Sequence, residues 1–308
     1  MAVEVTAAPP RVQLGPDDEP RPEWRTARRR AERLVATVAH ALARPTAAKR
    51  PLPDFLVVGT QRGGTTSLYR YLCDHPAVVP AVLEKGVHYF DTRPGRSATW
   101  YRSRFPTSWA RTRAARRSGA PSVTGEASPY YLFHPAAPTR ARAVVPDARI
   151  IVLLRDPMTR AYSHHRHERM RGFERLPFDE AVRREAARLD IDAADIDGDP
   201  AASFRHRHFS YVARGRYLEQ LERWFAAFPA NRIHVIVSEQ FFAEPERVFL
   251  DVQRFLELPE HRLTEYPIHN ARGAAEIPEH TRRFLAERLT GPTDALRGRL
   301  GIDPPWSV

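Results

Sequence analysis

The stretch Phe55-Leu56-Val57-Val58-Gly59-Thr60-Gln61-Arg62-Gly63-Gly64-Thr65-Thr66-Ser67-Leu68 decides how the rest of this chain is read. Four apolar residues run unbroken into a glycine, a Gly/Thr cluster follows, and Leu68, Tyr71 and Leu72 then recur at helical spacing. An apolar run bounded by turn residues is a buried strand, and the recurrence after it is one face of a helix. The unit is therefore strand, tight loop, helix. The same order returns further along. Ile150 to Leu154 ends in Arg155, Asp156 and Pro157 before the chain turns helical, and Ile233 to Val237 follows a helix whose Tyr217, Leu218, Leu221, Trp224, Phe225 and Phe228 share a broad face. Helices are also expected around Phe249 to Leu256 and Thr281 to Leu289. Fully apolar strands separated by helical crossovers predict the α/β class, with a central parallel sheet flanked by helices on both faces.

Composition bounds the alternatives. With 308 residues, 42% of them hydrophobic, the chain can build a substantial core without disulfide or metal support. Cys73 is the single cysteine, which excludes an intramolecular disulfide framework and a multi-cysteine zinc site and suits a reducing compartment. The apolar runs fall far short of the roughly 20 residues of a membrane span. Met1 to Gly15 lacks the charged start and apolar stretch of a secretory signal, so a cytoplasmic location is expected. The formal net charge of +11 points first to nucleic acid or another anionic surface. Yet lysine occurs only at Lys49 and Lys85 among 48 basic residues, and an arginine- and alanine-rich codon bias accounts for the excess equally well, so charge alone names no ligand.

Residues 1–50 read as a Pro-rich, mixed-charge extension and residues 51–308 as the folded domain. Within the extension, Trp24 to Ala43 carries Leu34, Val35, Val38 and Leu42 at helical spacing behind Arg28, Arg29, Arg30 and Arg33. This basic helix suits either weak contact with an acidic membrane surface or packing on its own domain. The acidic stretch Asp190 to Asp199 reads as a solvated connection.

The loop after the first strand is built for an anion. Glycines let the backbone approach a phosphate, and a helix N-terminus adds a favourable field. Its spacing nearly matches the nucleotide P-loop, G-x-x-x-x-G-K-[ST], but Thr65 occupies the lysine position and Arg62 offers a cation three residues earlier. That departure favours a nucleotide whose 5′ group is not a triphosphate. A second anion site is expected at Arg155 and Ser163, since an arginine fork at a strand end and a hydroxyl early in the next helix can converge on one dianion. Taken alone, Arg155 reads rather as the structural partner of a carboxylate; together with the first loop, the paired anion site is the reading.

At these residues the chain resembles the sulfotransferases that use 3′-phosphoadenosine 5′-phosphosulfate, especially the branch of heparan sulfate N- and O-sulfotransferases. The resemblance runs from about Pro53 to the C-terminus and implies a P-loop-NTPase-like sheet, that donor nucleotide and no metal. It assigns Gln61, Arg62, Gly63, Gly64, Thr65 and Thr66 to the 5′-phosphosulfate, with Arg62 at the family's usual lysine, as in the tyrosylprotein sulfotransferases. Arg155 and Ser163 would hold the 3′-phosphate, and Arg272 and Gly273 would lie on a loop closing over the phosphates. Trp224 with Phe228 and the segment Ser238 to Phe241 belong to the same likeness.

On the acceptor side, Lys85, Gly86, Val87, His88, Tyr89, Phe90 and Asp91 resemble the family's K-E-x-H-F-F-D segment. Gly86 replaces the glutamate that deprotonates the acceptor in many relatives. His88 is then the first candidate for the base, because an imidazole titrates near neutrality, with Glu84 and Glu126 as runners-up. Glu126 lies in Gly125 to Tyr130, which resembles the family's E-x-[ST]-P motif. Arg62, the loop N–H groups and Thr65 or Thr66 would stabilise charge on the transferring group, and Lys85 would orient the sulfonate or the base. The partners implied are the nucleotide donor and a glycan-like acceptor, not nucleic acid. His164, His165 and His167 read as solvated or acceptor-contacting imidazoles rather than a metal site. Arg102 to Arg117, with Tyr101, Phe105 and Trp109 interleaved, suits either an acidic polymer or a solvated insertion. Two rival functions remain: a P-loop kinase or NTPase, and a catalytically inactive anion- or nucleic-acid-binding relative.

Overall fold

The computed structural model describes residues 43–82, 84–192, 194–269 and 276–308, together with Val38. The loop residues Arg272 and Gly273 and nearly all of the basic stretch Trp24 to Ala43 lie outside the described residues.

Four parallel strands form the sheet in the order β2-β1-β3-β4: β1 (Phe55–Gly59), β2 (Gly125–Ala127), β3 (Arg149–Leu154) and β4 (Ile233–Val237). The apolar runs are strands because both faces are covered. Leu56, Val58, Ile150, Val152 and Leu154 face one layer, which contains Tyr101, Tyr131, Tyr217, Leu221 and Trp224. Phe55, Val57, Ile151 and Leu153 alternate to the other face, against Leu68, Tyr71, Leu72, Phe241 and Phe249. Three helices follow β1: α1 (Thr65–Asp74), α2 (Ala98–Arg102) and α3 (Ser108–Ser118). Between β2 and β3 runs α4 (Ala137–Val144). After β3 come α5 (Pro157–Met170), α6 (Phe178–Arg188), α7 (Asp195–Gly198), α8 (Pro200–His208) and α9 (Tyr217–Ala227). Beyond β4 lie α10 (Ser238–Ala243), α11 (Pro245–Phe255) and α12 (Glu279–Leu300).

Short β2 carries no apolar run, and its pairing depends on Gly125, where a Cβ would sit 2.4 Å from the Phe55 ring. On the opposite layer α9 inserts the fully buried Trp224, stacked on Phe228 with centroids 5.7 Å apart. Trp224→Ala is expected to cost about 3–5 kcal/mol of stability, read from the denaturant midpoint.

Two expectations change. The acidic connection is not simply solvated: Asp197 pairs with Arg140 and His134, and the Asp199 side chain accepts from the Ala201 amide at the start of α8. In the arginine-rich insertion Tyr101 and Phe105 are core residues, and only Trp109 of the three aromatics is exposed.

Candidate functional site

The sheet positions the site. Neighbours β1 and β3 send their chains onward in different directions, and ligands of open α/β sheets collect at the carboxyl edge of such a switch point. The Gly59–Thr66 loop leaves β1 there, and Arg155 follows β3. The loop is pinned by hydrogen bonds from the Thr60 amide to the Leu153 carbonyl (2.7 Å), from the Gly63 amide to the Thr60 carbonyl (3.0 Å) and from Ser238 Oγ to the Gly63 carbonyl (2.7 Å). Gly64 has φ +97°, and a Cβ on it would meet the Phe242 ring at 2.8 Å, so glycine is required. As N-cap of α1 it contributes no side chain to the first-turn amides, which leaves them to an anion.

A second cation reaches the loop from elsewhere. Lys85 Nζ donates to Thr65 Oγ1 (3.0 Å) and Thr66 Oγ1 (2.9 Å), standing at the head of α1 where a P-loop lysine would act. Burial, and secondarily the charge of Arg70, pushes its pKa down to about 7. The gap at Thr65 is therefore filled in space, a point the one-dimensional comparison missed.

Arg62, Arg155 and Ser163 come together. Arg62 Nε donates to Ser163 Oγ at 3.0 Å, and Arg155 Nη1 donates to the Arg62 carbonyl at 3.1 Å. The turn beneath them is fixed by Asp156, which accepts from the amides of Thr159 and Ser307, both at 2.7 Å, while its own amide donates to Glu239 at 2.9 Å. Trp306 Nε1 also donates to Glu239 (2.8 Å), so the last residues of the chain buttress this corner. No sequence signal pointed to them. Ahead of the late loop, the His269 amide donates to Ser67 Oγ (2.9 Å) and its ring meets Arg70 at 2.8 Å, tying that segment to α1.

Three residues beyond Lys85 stands His88, in a left-handed backbone conformation with φ +55°. Its Nδ1 is 2.8 Å from Oδ2 of the buried Asp91. Burial alone would raise the Asp91 carboxyl, but the His88 ring, Arg207 and the Thr92 amide together hold it below the usual range. A carboxylate on Nδ1 selects the tautomer with its lone pair on Nε2. That nitrogen lies 3.4 Å from where a Cβ on Gly86 would begin. His88 thus occupies the space beside the position of the absent glutamate. The same hypothetical Cβ would be 2.8 Å from the Ala127 carbonyl. Gly86→Glu is accordingly expected to destabilise the protein by about 1–3 kcal/mol and to raise no activity, as unfolding midpoints and turnover would report.

Glu126 is corrected as a candidate base. It is wholly buried and accepts from Tyr101 OH (2.7 Å), Tyr131 OH (3.0 Å), Ser128 Oγ (2.6 Å) and the Val87 amide (2.6 Å). Burial raises its pKa, and its oxygens are spent on holding the His88 segment, whose amide donates to Ser128. Glu84 pairs instead with Arg93 at 3.4 Å. His164 and His165 are buried, contrary to the reading as solvated imidazoles: His164 faces Glu168 and His165 the Leu176 carbonyl. Gln61 turns its amide inward, to Arg214 and Glu168.

Comparison with known proteins bears on the family and the fold. A family model described as "Sulfotransferase domain" matches residues 52–271. The chain is 30% identical over 226 residues to the bifunctional heparan sulfate N-deacetylase/N-sulfotransferase of Drosophila melanogaster, covering 71% of this chain and 20% of that protein. It is 29% identical over 220 residues to the human heparan sulfate glucosamine 3-O-sulfotransferase 5, covering 71% and 57%. It thus spans from a fifth to somewhat over half the length of these relatives. A crystal structure of a sulfotransferase from Alicyclobacillus acidocaldarius superposes with a TM-score of 0.61 at 25% identity, over 82% of this chain and 97% of that one. Among the described residues no helix is long and apolar enough to cross a membrane.

Proposed function

The chain belongs to the sulfotransferase domain family, and from that premise we propose that it transfers a sulfuryl group from 3′-phosphoadenosine 5′-phosphosulfate to a hydroxyl or amine of a carbohydrate, glycolipid or glycosylated natural product. The observation that supports the reading is a set of contacts at the end of β1 and β3: Lys85 on Thr65 and Thr66, Arg62 on Ser163 with Arg155 on the Arg62 carbonyl, and the His88–Asp91 pair three residues beyond Lys85. The donor set suits a ligand with two separated phosphate-type groups: uncapped amides and an ammonium at one end, an arginine and a hydroxyl at the other.

When bound, the donor supplies an activated sulfuryl group and a bisphosphate nucleotide as leaving group. The protein's part is positioning and charge. Arg155 and Ser163 hold the 3′-phosphate. Lys85, Arg62 and the first-turn amides of α1 stabilise charge growing on the bridging oxygen as its bond to sulfur breaks. His88 Nε2 takes the acceptor's proton as the new bond to sulfur forms, and Asp91 stabilises the resulting imidazolium. Glu126 keeps the His88 segment in register. Arg272 and Gly273, outside the described residues, complete the proposed donor contacts.

Labelled sulfate from the donor, offered with a panel of glycan acceptors that includes N-deacetylated heparosan, tests the reading. Label is expected on carbohydrate and absent with the His88→Ala variant. Donor binding with no transfer to any member of the panel would favour the inactive anion-binding alternative.

A further inference from the structure

Arg214 touches neither anion corner and was not singled out in the sequence, yet it reaches the donor loop from inside the core. It is 1% exposed. Nε donates to Ser210 Oγ and Nη2 to the Arg207 carbonyl, both at 2.7 Å, while Nη1 donates to Gln61 Oε1. Its plane lies over Tyr130 and Phe133, 4.9 and 5.0 Å from the ring centroids. Among the described residues no carboxylate is in ion-pair contact with it.

The other end of the Gln61 amide meets an anion. Nε2 is 3.5 Å from Oε1 of Glu168, a fully buried carboxylate that also receives His208 Nδ1 at 2.9 Å. Burial alone would raise the Glu168 pKa, but His164 and His208 hold it well below the carboxylate range. The orientation of the amide is thereby determined, its carbonyl to a buried cation and its NH2 to a buried anion. This matters because the next residue is Arg62, whose φ of +74° lies in a region that non-glycine residues avoid. One clamp on that backbone is visible in the donor corner, where Arg155 holds the Arg62 carbonyl. Gln61 is the second.

We propose that Arg214 is a positioning residue for the donor loop: by fixing Gln61 from within the core it sets the backbone of Gln61 and Arg62, in the loop assigned to the donor's 5′ group. The inference rests on the donor reading above. It also accounts for the residue type. Only a planar fork can serve Ser210, the Arg207 carbonyl and Gln61 together while stacking on two rings, and an ammonium cannot.

Calorimetry on the full chain tests it with two probes, 3′-phosphoadenosine 5′-phosphate and adenosine 3′-monophosphate, the second lacking the 5′ group. Gln61→Ala and Arg214→Lys are each expected to weaken the bisphosphate about tenfold or more, the scale of one lost charge-assisted hydrogen bond. Both should leave the 3′-monophosphate within about twofold, and the double variant should bind no more weakly than the weaker single, because the two residues act as one unit. The 3′-monophosphate also counts the folded fraction. If Arg214→Lys folds poorly, Arg214→Gln, which buries no charge, replaces it. Equal losses for both nucleotides, losses that multiply in the double variant, or an Arg214 variant with unchanged bisphosphate affinity would overturn the proposal. Wild-type protein that fails to bind the bisphosphate would instead sink the donor reading itself.

Discussion

His88→Ala is expected to lower kcat about 10²- to 10⁴-fold, the range that general-base catalysis contributes, while leaving affinity for 3′-phosphoadenosine 5′-phosphate within about twofold. The split follows from geometry. His88 is placed on the acceptor side by the proposal, and its hydrogen bonds run to Asp91 through Nδ1 and to Ser128 through its amide rather than to the donor loop. Steady-state kinetics and calorimetry read the two quantities separately. Asp91→Asn should leave the ring in place but remove the preference for the tautomer with Nε2 free, and a loss of about 10²-fold or more is expected. If His88→Ala retains wild-type turnover, the base lies elsewhere, and Glu84 is the next carboxylate to test, since Glu126 is sealed behind two tyrosines.

Lys85→Met is expected to have the second largest effect, on binding. In the free site burial pushes the Lys85 ammonium down to about 7. An anion at the head of α1 favours the charged form, so binding raises that pKa. Below about pH 7 the lysine is already protonated and binding draws no proton for it. Above about pH 7 the free site is mostly neutral, so binding takes up a proton and affinity falls as pH rises, until the pKa of the bound form is passed. Calorimetry at pH 8 in buffers of different ionisation enthalpy should register uptake approaching one proton, and at pH 6 much less from this group. Lys85→Met should abolish the pH 8 uptake and weaken binding roughly 10- to 100-fold, the scale of a charge-assisted hydrogen bond to a phosphate-type oxygen. Uptake that persists unchanged in the variant would place the titrating group outside the Lys85–Thr65–Thr66 cluster.

The contrast between Lys85 and Thr65 shows where sequence reading stops. Strands β1 and β3 were legible because parallel strands buried on both faces become unbroken apolar runs, and β4, at the sheet edge, because only His234 interrupts its run. Strand β2, at Gly125–Ala127, has no such run and owes its place to a glycine under the Phe55 ring. The donor loop was legible because its glycines, hydroxyls and cation are neighbours in the chain. By contrast, Lys85 reaches Thr65 from twenty residues away and Arg214 reaches Gln61 across 153. Trp306 and Ser307 brace the Asp156 turn from the far end of the chain. Periodicity and local spacing encode none of these contacts. Glu126 was misassigned for a related reason: residue type marks a titratable group, but only burial separates a base from a structural acceptor.

The Gly86 position ties these points together. Read in sequence it is a lost catalytic glutamate. In the structure a Cβ there would collide with the Ala127 carbonyl, and the space beside it holds His88 Nε2 backed by Asp91. Under the proposed function, His88 backed by Asp91 takes the place of the glutamate.

The central claim is a donor site for a nucleotide with separate 3′ and 5′ anionic groups, and titration with 3′-phosphoadenosine 5′-phosphate and with ATP, each in EDTA and in Mg²⁺, tests it without knowledge of the acceptor. The account predicts tighter binding of the bisphosphate, indifferent to Mg²⁺, and a loss of about tenfold or more with Arg155→Ala, as removal of an arginine fork from a phosphate implies. Tighter binding of ATP that requires Mg²⁺, or bisphosphate binding untouched by Arg155→Ala, would contradict it.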